Sequence, residues 1–165
     1  MEALSSAASP QVSAGISLGL QLFWGLLLLV LIVSVQGAGI VAATKLLRLE
    51  DRKLRAHRVD VKAFGILIAI ALVLFALHLL EILIFAAFYM VVGAINEFEP
   101  ALFFSISAFT TLGHPEMQFP ADWRIVGALE GLVGFLLIGW STAVFVTDMS
   151  KLLRESPDQG SDISL

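Results

Sequence analysis

Cysteine is absent from the 165-residue chain, so disulfides and thiolate metal centres are excluded and nothing marks a redox compartment. Charge is scarce, 15% of residues, and is gathered into short stretches between neutral runs such as 12–44. A soluble domain of this length has no need of uncharged runs that long; the pattern is that of a membrane protein. No basic n-region precedes the first apolar run: residues 1–14 are small and polar, with Ser5, Ser6, Ser9 and Pro10. This argues against a cleaved signal peptide. No apolar run carries a regular arginine series, which leaves voltage sensing without support. The polar segments are too short to build a catalytic site and show no nucleophile–base pair or metal-ligand motif, so neither an enzyme, a cofactor nor a nucleic-acid partner is expected.

The few charges are unevenly placed. Lys45, Arg48, Arg52, Lys53, Arg55, Arg58 and Lys62 lie in one loop, Lys151 and Arg154 follow the last apolar run, and Arg124 stands alone. By the positive-inside tendency the 45–62 loop and the C-terminus are cytoplasmic and the N-terminus external. The chain then divides into an external tail (1–14), a first transmembrane helix (15–44), a cytoplasmic basic loop (45–62), a helix–loop–helix module (63–149) and a disordered cytoplasmic tail (150–165). Within the loop, Leu46, Leu47, Leu49 and Leu54 interleave with charges and Asp51 precedes Arg55 by one helical turn, which suits a helical continuation or hairpin at the interface. Its basic residues serve as a topology signal or bind anionic membrane lipids, at about 1 kcal/mol each.

The first span exceeds the roughly 20 residues that a bilayer requires. Gly15 and Gly19 are spaced for close helix approach, and Gln21, Ser34 and Gln36 are expected to face protein. The second span, from about residue 63 to 95, carries His78 and Glu81 near its middle on one helical face. An ionisable pair at that depth must find partners: one another, Ser34 or Gln36, or Ser141 or Thr142. It acts either as a hydrogen-bonded clamp between helices or as a carrier of protons or a divalent cation. Phe85, Phe88 and Tyr89 are expected to be interface anchors.

The segment 101–110 is apolar but too short to cross a bilayer, and it ends on Thr110, Thr111, Leu112 and Gly113. A polar turn through Pro115 and Pro120 follows, then Trp123 at interface depth and a full span from about 125 to 146. This is a re-entrant helix followed by backbone at membrane depth, which persists only if buried in protein or lining water. Pro100 suits the first turn of that helix. Phe103, Phe104 and Phe109 are expected to wall it against its neighbours.

The layout over residues 64–148 resembles the pore module of the tetrameric potassium-channel superfamily. Thr111, Leu112 and Gly113 match the first three residues of its T-V-G-Y-G filter, while His114, Pro115 and Glu116 stand in place of Tyr, Gly and Asp. The phrases His78-Leu79-Leu80-Glu81 and Gly139-Trp140-Ser141-Thr142-Ala143 are similar to those of small prokaryotic ion-channel-domain proteins. The resemblance implies an all-α integral membrane protein, with three transmembrane helices plus a re-entrant pore helix and filter loop, assembled as a homotetramer in the plasma (cell inner) membrane. It implies passive conduction of a monovalent cation, K+ in the family pattern, through a filter over Thr110 to Pro115 in which the Thr111 to Gly113 carbonyls replace the ion's hydration shell. Gly113 can adopt the unusual dihedrals this needs. Pro115 cannot, because its ring fixes φ near about −65° and removes an N–H, so selectivity is expected to be relaxed. His114 either faces the pore or packs behind the filter.

Glu116, joined by Glu97, Glu99 and Asp122, would form an acidic outer mouth that concentrates cations. Glu130 is placed to support the filter from behind, as in the related small channels. Gly127, Gly131 and Gly134 share a face of the last span, and Gly134 and Gly139 serve either as hinges or in close packing. Two rivals remain: a non-conducting homologue acting as a regulatory subunit, for which Pro115 speaks, and a proton or metal transporter using His78 and Glu81. No internal repeat or paired broken helix supports the transporter.

Overall fold

The computed structural model describes residues 17–51, 59–113 and 121–154. The tail 1–14, residues 52–58 of the basic loop, His114, Pro115, Glu116 and residues 155–165 lie outside the described residues. Four α-helices follow in order: α1 (Leu18–Asp51), α2 (Val59–Val91), α3 (Phe98–Phe109) and α4 (Arg124–Arg154), with a 3₁₀ turn at Ala121–Trp123 before α4. No strand occurs among the described residues.

Three of these helices contain stretches long and apolar enough to cross a membrane: Leu18–Lys45, Phe64–Val91 and Arg124–Ser150. At about 1.5 Å per residue, the 34 residues of α1 and 33 of α2 exceed the roughly 40–45 Å of a bilayer with its headgroups. Their facing ends therefore carry Lys45, Arg48 and Lys62 beyond the apolar zone, as continuations of the helices. α4 likewise runs on to Arg154, so residues 150–154 are helical where the sequence suggests a disordered tail.

Each element ends for a local reason. Gly93, at φ 69°, takes a left-handed conformation that turns the chain out of α2, and Ala94 N donates to Tyr89 O at 2.9 Å. α3 opens on Glu97 in an extended conformation without a side-chain cap, and Pro100 falls in its first turn as expected. Its short length leaves α3 wedged between α2 and α4. Without a hydrophobic driving force in lipid, close packing and interhelical hydrogen bonds hold such helices together.

The contacts reflect this. Ile32, Phe85, Tyr89, Phe109 and Val126 form the most completely buried part of the interior. The burial of Phe85 and Tyr89 corrects their assignment as interface anchors. Phe88 and Trp123 meet edge to face at 5.2 Å, and Trp24 of α1 lies 5.9 Å from Phe88; Trp123, too, is buried. Phe104 meets Tyr89 at 5.2 Å, so the aromatic wall is built from Phe104 and Phe109, while Phe103 is exposed.

In α1, the glycines in close contact are Gly25 and Gly39. A Cβ there would lie 2.4 Å from Leu129 Cδ1 and 2.3 Å from Leu77 Cδ2 respectively, whereas one on Gly19 would meet nothing within 4 Å. Gln21 and Gln36 face protein as expected, but Ser34 is exposed and satisfies itself by donating to Val30 O at 2.6 Å.

Candidate functional site: a re-entrant helix and its exposed backbone turn

The C-terminus of α3 is delivered to membrane depth by α4. Gly131 and Gly134 leave room for it: a Cβ on Gly131 would lie 3.1 Å from Ala108 O, and one on Gly134 only 2.2 Å from Phe109 O. Gly134 is ten residues into α4, so the end of α3 lies roughly 15 Å below the start of that helix. On the other side the Phe109 ring lies 5.7 Å from that of His78, in the middle of α2.

From this point the backbone turns back on the helix end. Thr110 N donates to Ile106 O at 3.0 Å, Thr111 N to Ala108 O at 2.9 Å and Gly113 N to Ser107 O at 3.3 Å. Thr110 Oγ1 adds a bond to Ile106 O at 2.7 Å. Gly113 has φ 65°, as its residue type allows, but Thr111 also has φ 59°. A β-branched residue in the left-handed region is strained, at roughly 1–3 kcal/mol, and such strain concentrates at functional sites. Nothing in the sequence announces it. Thr110, Thr111, Leu112 and Gly113 are all exposed, Leu112 at 78%.

Behind this turn lies a buried polar network. Tyr89 Oη donates to Glu130 Oε2 at 2.6 Å, Ser105 Oγ donates to Glu130 Oε1, and Ser105 Oγ also lies 2.9 Å from Ile82 O. Glu130 is 0% exposed. One carboxyl thus ties α2, α3 and α4 together at the middle of α3. Glu130, expected to support the filter from behind by hydrogen bonding, bonds Tyr89 of α2 and Ser105 of α3. Ser105 is not singled out by the sequence, and Tyr89 is marked there only as an interface anchor; the lone tyrosine on the same apolar run as Glu81 was the available signal for its polar role.

The His78–Glu81 pair resolves onto itself, with Nδ1 3.0 Å from Oε2. Glu81 is fully buried and its Oε1 has no partner. Of the other candidates, Gln36 Nε2 donates to Ser141 Oγ at 2.6 Å and Thr142 Oγ1 to Ile138 O at 2.8 Å. No group of three or more metal-ligating side chains occurs among the described residues.

Glu97, Glu99 and Asp122 are exposed near the start of α3 and of α4, on the side opposite the Thr110–Gly113 turn along α3. Gly134 is taken up by packing against Phe109, whereas a Cβ on Gly139 would meet nothing within 4 Å; of the two hinge candidates only Gly139 is free of a contact that explains it.

No curated protein and no solved structure matches the chain. Residues 77–151, from the middle of α2 to the end of α4, match the family described as Ion channel, and the three long apolar helices fit a multi-pass membrane protein.

Proposed function

We propose that the chain is the pore-forming subunit of a homotetrameric, potassium-channel-like cation channel, with Thr110 to Gly113 at the ion path. One observation carries this reading. An exposed backbone turn with positive φ at Thr111 and Gly113 lies deep along α4, between apolar spans. Irregular backbone at that depth is tolerated only where it is buried by protein or faces water. Neighbouring copies around a central axis supply both conditions, with carbonyls taking the place of an ion's hydration shell.

The division of α4 into two faces agrees with this. Val126, Glu130, Val133, Gly134, Leu137 and Ser141 are buried against the rest of the chain, while Leu132, Phe135, Gly139, Thr142 and Val146 are exposed. The exposed row lies roughly 170° around the helix from the buried one, where it can line a cavity below the turn. Glu97, Glu99, Asp122 and Glu116 supply negative charge to the outer entrance. The N-terminus lies outside and the C-terminus inside the plasma (cell inner) membrane, following the basic loop.

The test is ion flux into liposomes holding the purified protein, under potassium and under sodium gradients. Potassium-selective flux supports conduction through intact inner sites. Equal flux of both ions supports a nonselective pore set by the acidic mouth. No flux from protein shown to be tetrameric overturns the proposal in favour of a regulatory subunit.

A further inference from the structure

α1 lies outside the matched channel domain, yet it grips α4 at two levels. Near the outer ends Gln21 Oε1 accepts from Ile125 N at 3.3 Å. Fifteen residues further along α1, Gln36 Nε2 donates to Ser141 Oγ at 2.6 Å, with both side chains buried. The two helices therefore run parallel, in matched register, over roughly 22 Å. α1 is also braced on α2, where Gly39 admits Leu77 to within the space of a Cβ, so it is not free to follow α4.

The inner contact falls two residues beyond Gly139, whose Cβ position is open. Ser141 belongs to the buried row of α4, on the side away from Phe135, Gly139, Thr142 and Val146. Gln36 Oε1 has no partner, and since the two ends of an amide are assigned from their surroundings, one end is left over whichever way it is turned. The contact is thus a single interhelical hydrogen bond. In a membrane such a bond shifts an equilibrium by roughly three- to fifteen-fold, enough to bias a gate without locking it.

We infer that α1 restrains the gate: the Gln36–Ser141 hydrogen bond holds the inner half of α4 against α1 and away from the channel axis. Movement of that half toward the axis, pivoting near Gly139, requires the bond to break. The inference rests on the pore reading above for the position of the axis. It gives a helix outside the channel domain a part in setting how open the channel stands, and connects the basic cytoplasmic end of α1 to the pore-lining helix.

The test uses the full chain in liposomes with Ser150→Cys, an exposed position in a chain without native cysteine. Spin labels there report the separation between the inner ends of α4 across the oligomer, and potassium flux is followed in parallel. Gln36→Leu and Ser141→Ala are each expected to shift the labels to shorter distances and to lower flux by roughly three- to fifteen-fold. The double variant is expected to do no more than the stronger single one. Gln36→Met replaces Gln36→Leu if the latter does not assemble. Distances unchanged or longer in the single variants, or a double variant whose effect is the product of the two, overturn the restraint. If distances shorten as expected but no form conducts, the restraint stands and the pore reading falls. If the wild type conducts and the distances do not move, the restraint falls and the pore reading stands.

Discussion

The same substitution at two glycines of α4, five residues apart, is expected to act in opposite directions. A Cβ on Gly134 would lie 2.2 Å from Phe109 O, 2.8 Å from Phe109 Cγ and 2.9 Å from Phe109 C. Two of these three atoms are backbone, so a rotamer change cannot relieve the clash; α3 and α4 must separate by about 1 Å to restore van der Waals contact. Overpacking of this kind costs about 1–3 kcal/mol, and for a chain of this size each kcal/mol lowers the melting temperature by about 2–4 °C. The displaced residue directly precedes Thr110, so the Thr110–Gly113 turn moves with it. A Cβ on Gly139 meets nothing within 4 Å, and Gly139→Ala removes a backbone entropy cost of about 0.5–1 kcal/mol. Thermal unfolding of the two variants in detergent, followed by circular dichroism, should show Gly134→Ala melting below the wild type and Gly139→Ala at or above it. Equal melting temperatures, or a lower one for Gly139→Ala, would refute the packing of α3 on α4 described here.

Other perturbations separate the polar clusters. Tyr89→Phe removes one of the two donors to buried Glu130 and is expected to destabilise the protein by about 1–3 kcal/mol, whereas Glu130→Gln, which keeps an acceptor for Tyr89 and a donor for Ser105, should melt close to the wild type. His78→Leu alone strands the Glu81 carboxyl, already lacking a partner on Oε1, and is expected to cost more in thermal unfolding than the double change His78→Leu with Glu81→Leu. Retained ion flux in that double variant would exclude a transporter built on the pair. Replacing His114 and Pro115 by Tyr and Gly is expected to raise the potassium-over-sodium flux ratio in liposomes, since the ring of Pro115 no longer fixes the backbone.

Much of this architecture could be read from the sequence because bilayer physics constrains it tightly. Apolar runs of sufficient length and one that is too short give the three long helices and α3 with little ambiguity. The spacing of Gly131 and Gly134 on one face of α4 correctly signals the close approach of a backbone. What did not emerge depends on which surfaces meet. Tyr89 reads as an interface anchor by residue type and position, yet α3 and α4 close over it and turn it into a ligand of Glu130. Gly19 has a suitable spacing partner but no neighbour, while Gly25, without such spacing, and Gly39, four residues before Ala43, are those that admit side chains. Gln36 and Ser141 were each legible as polar groups in apolar runs, but their pairing is a property of the register between α1 and α4. The left-handed conformation of Thr111 has no local signal either, because it is imposed by the fold around the helix end.

The central claim is that ions pass along the Thr110–Gly113 backbone, and Gly113→Ala tests it most directly. The added Cβ meets no atom within 4 Å, so its effect is confined to a backbone held at φ 65°, where an L-residue costs roughly 1–2 kcal/mol. Potassium flux through the reconstituted variant, compared with wild type of the same oligomeric state, should fall by roughly five- to thirty-fold. Unchanged flux in a variant of unaltered assembly would contradict the account and place the ion path elsewhere in the protein.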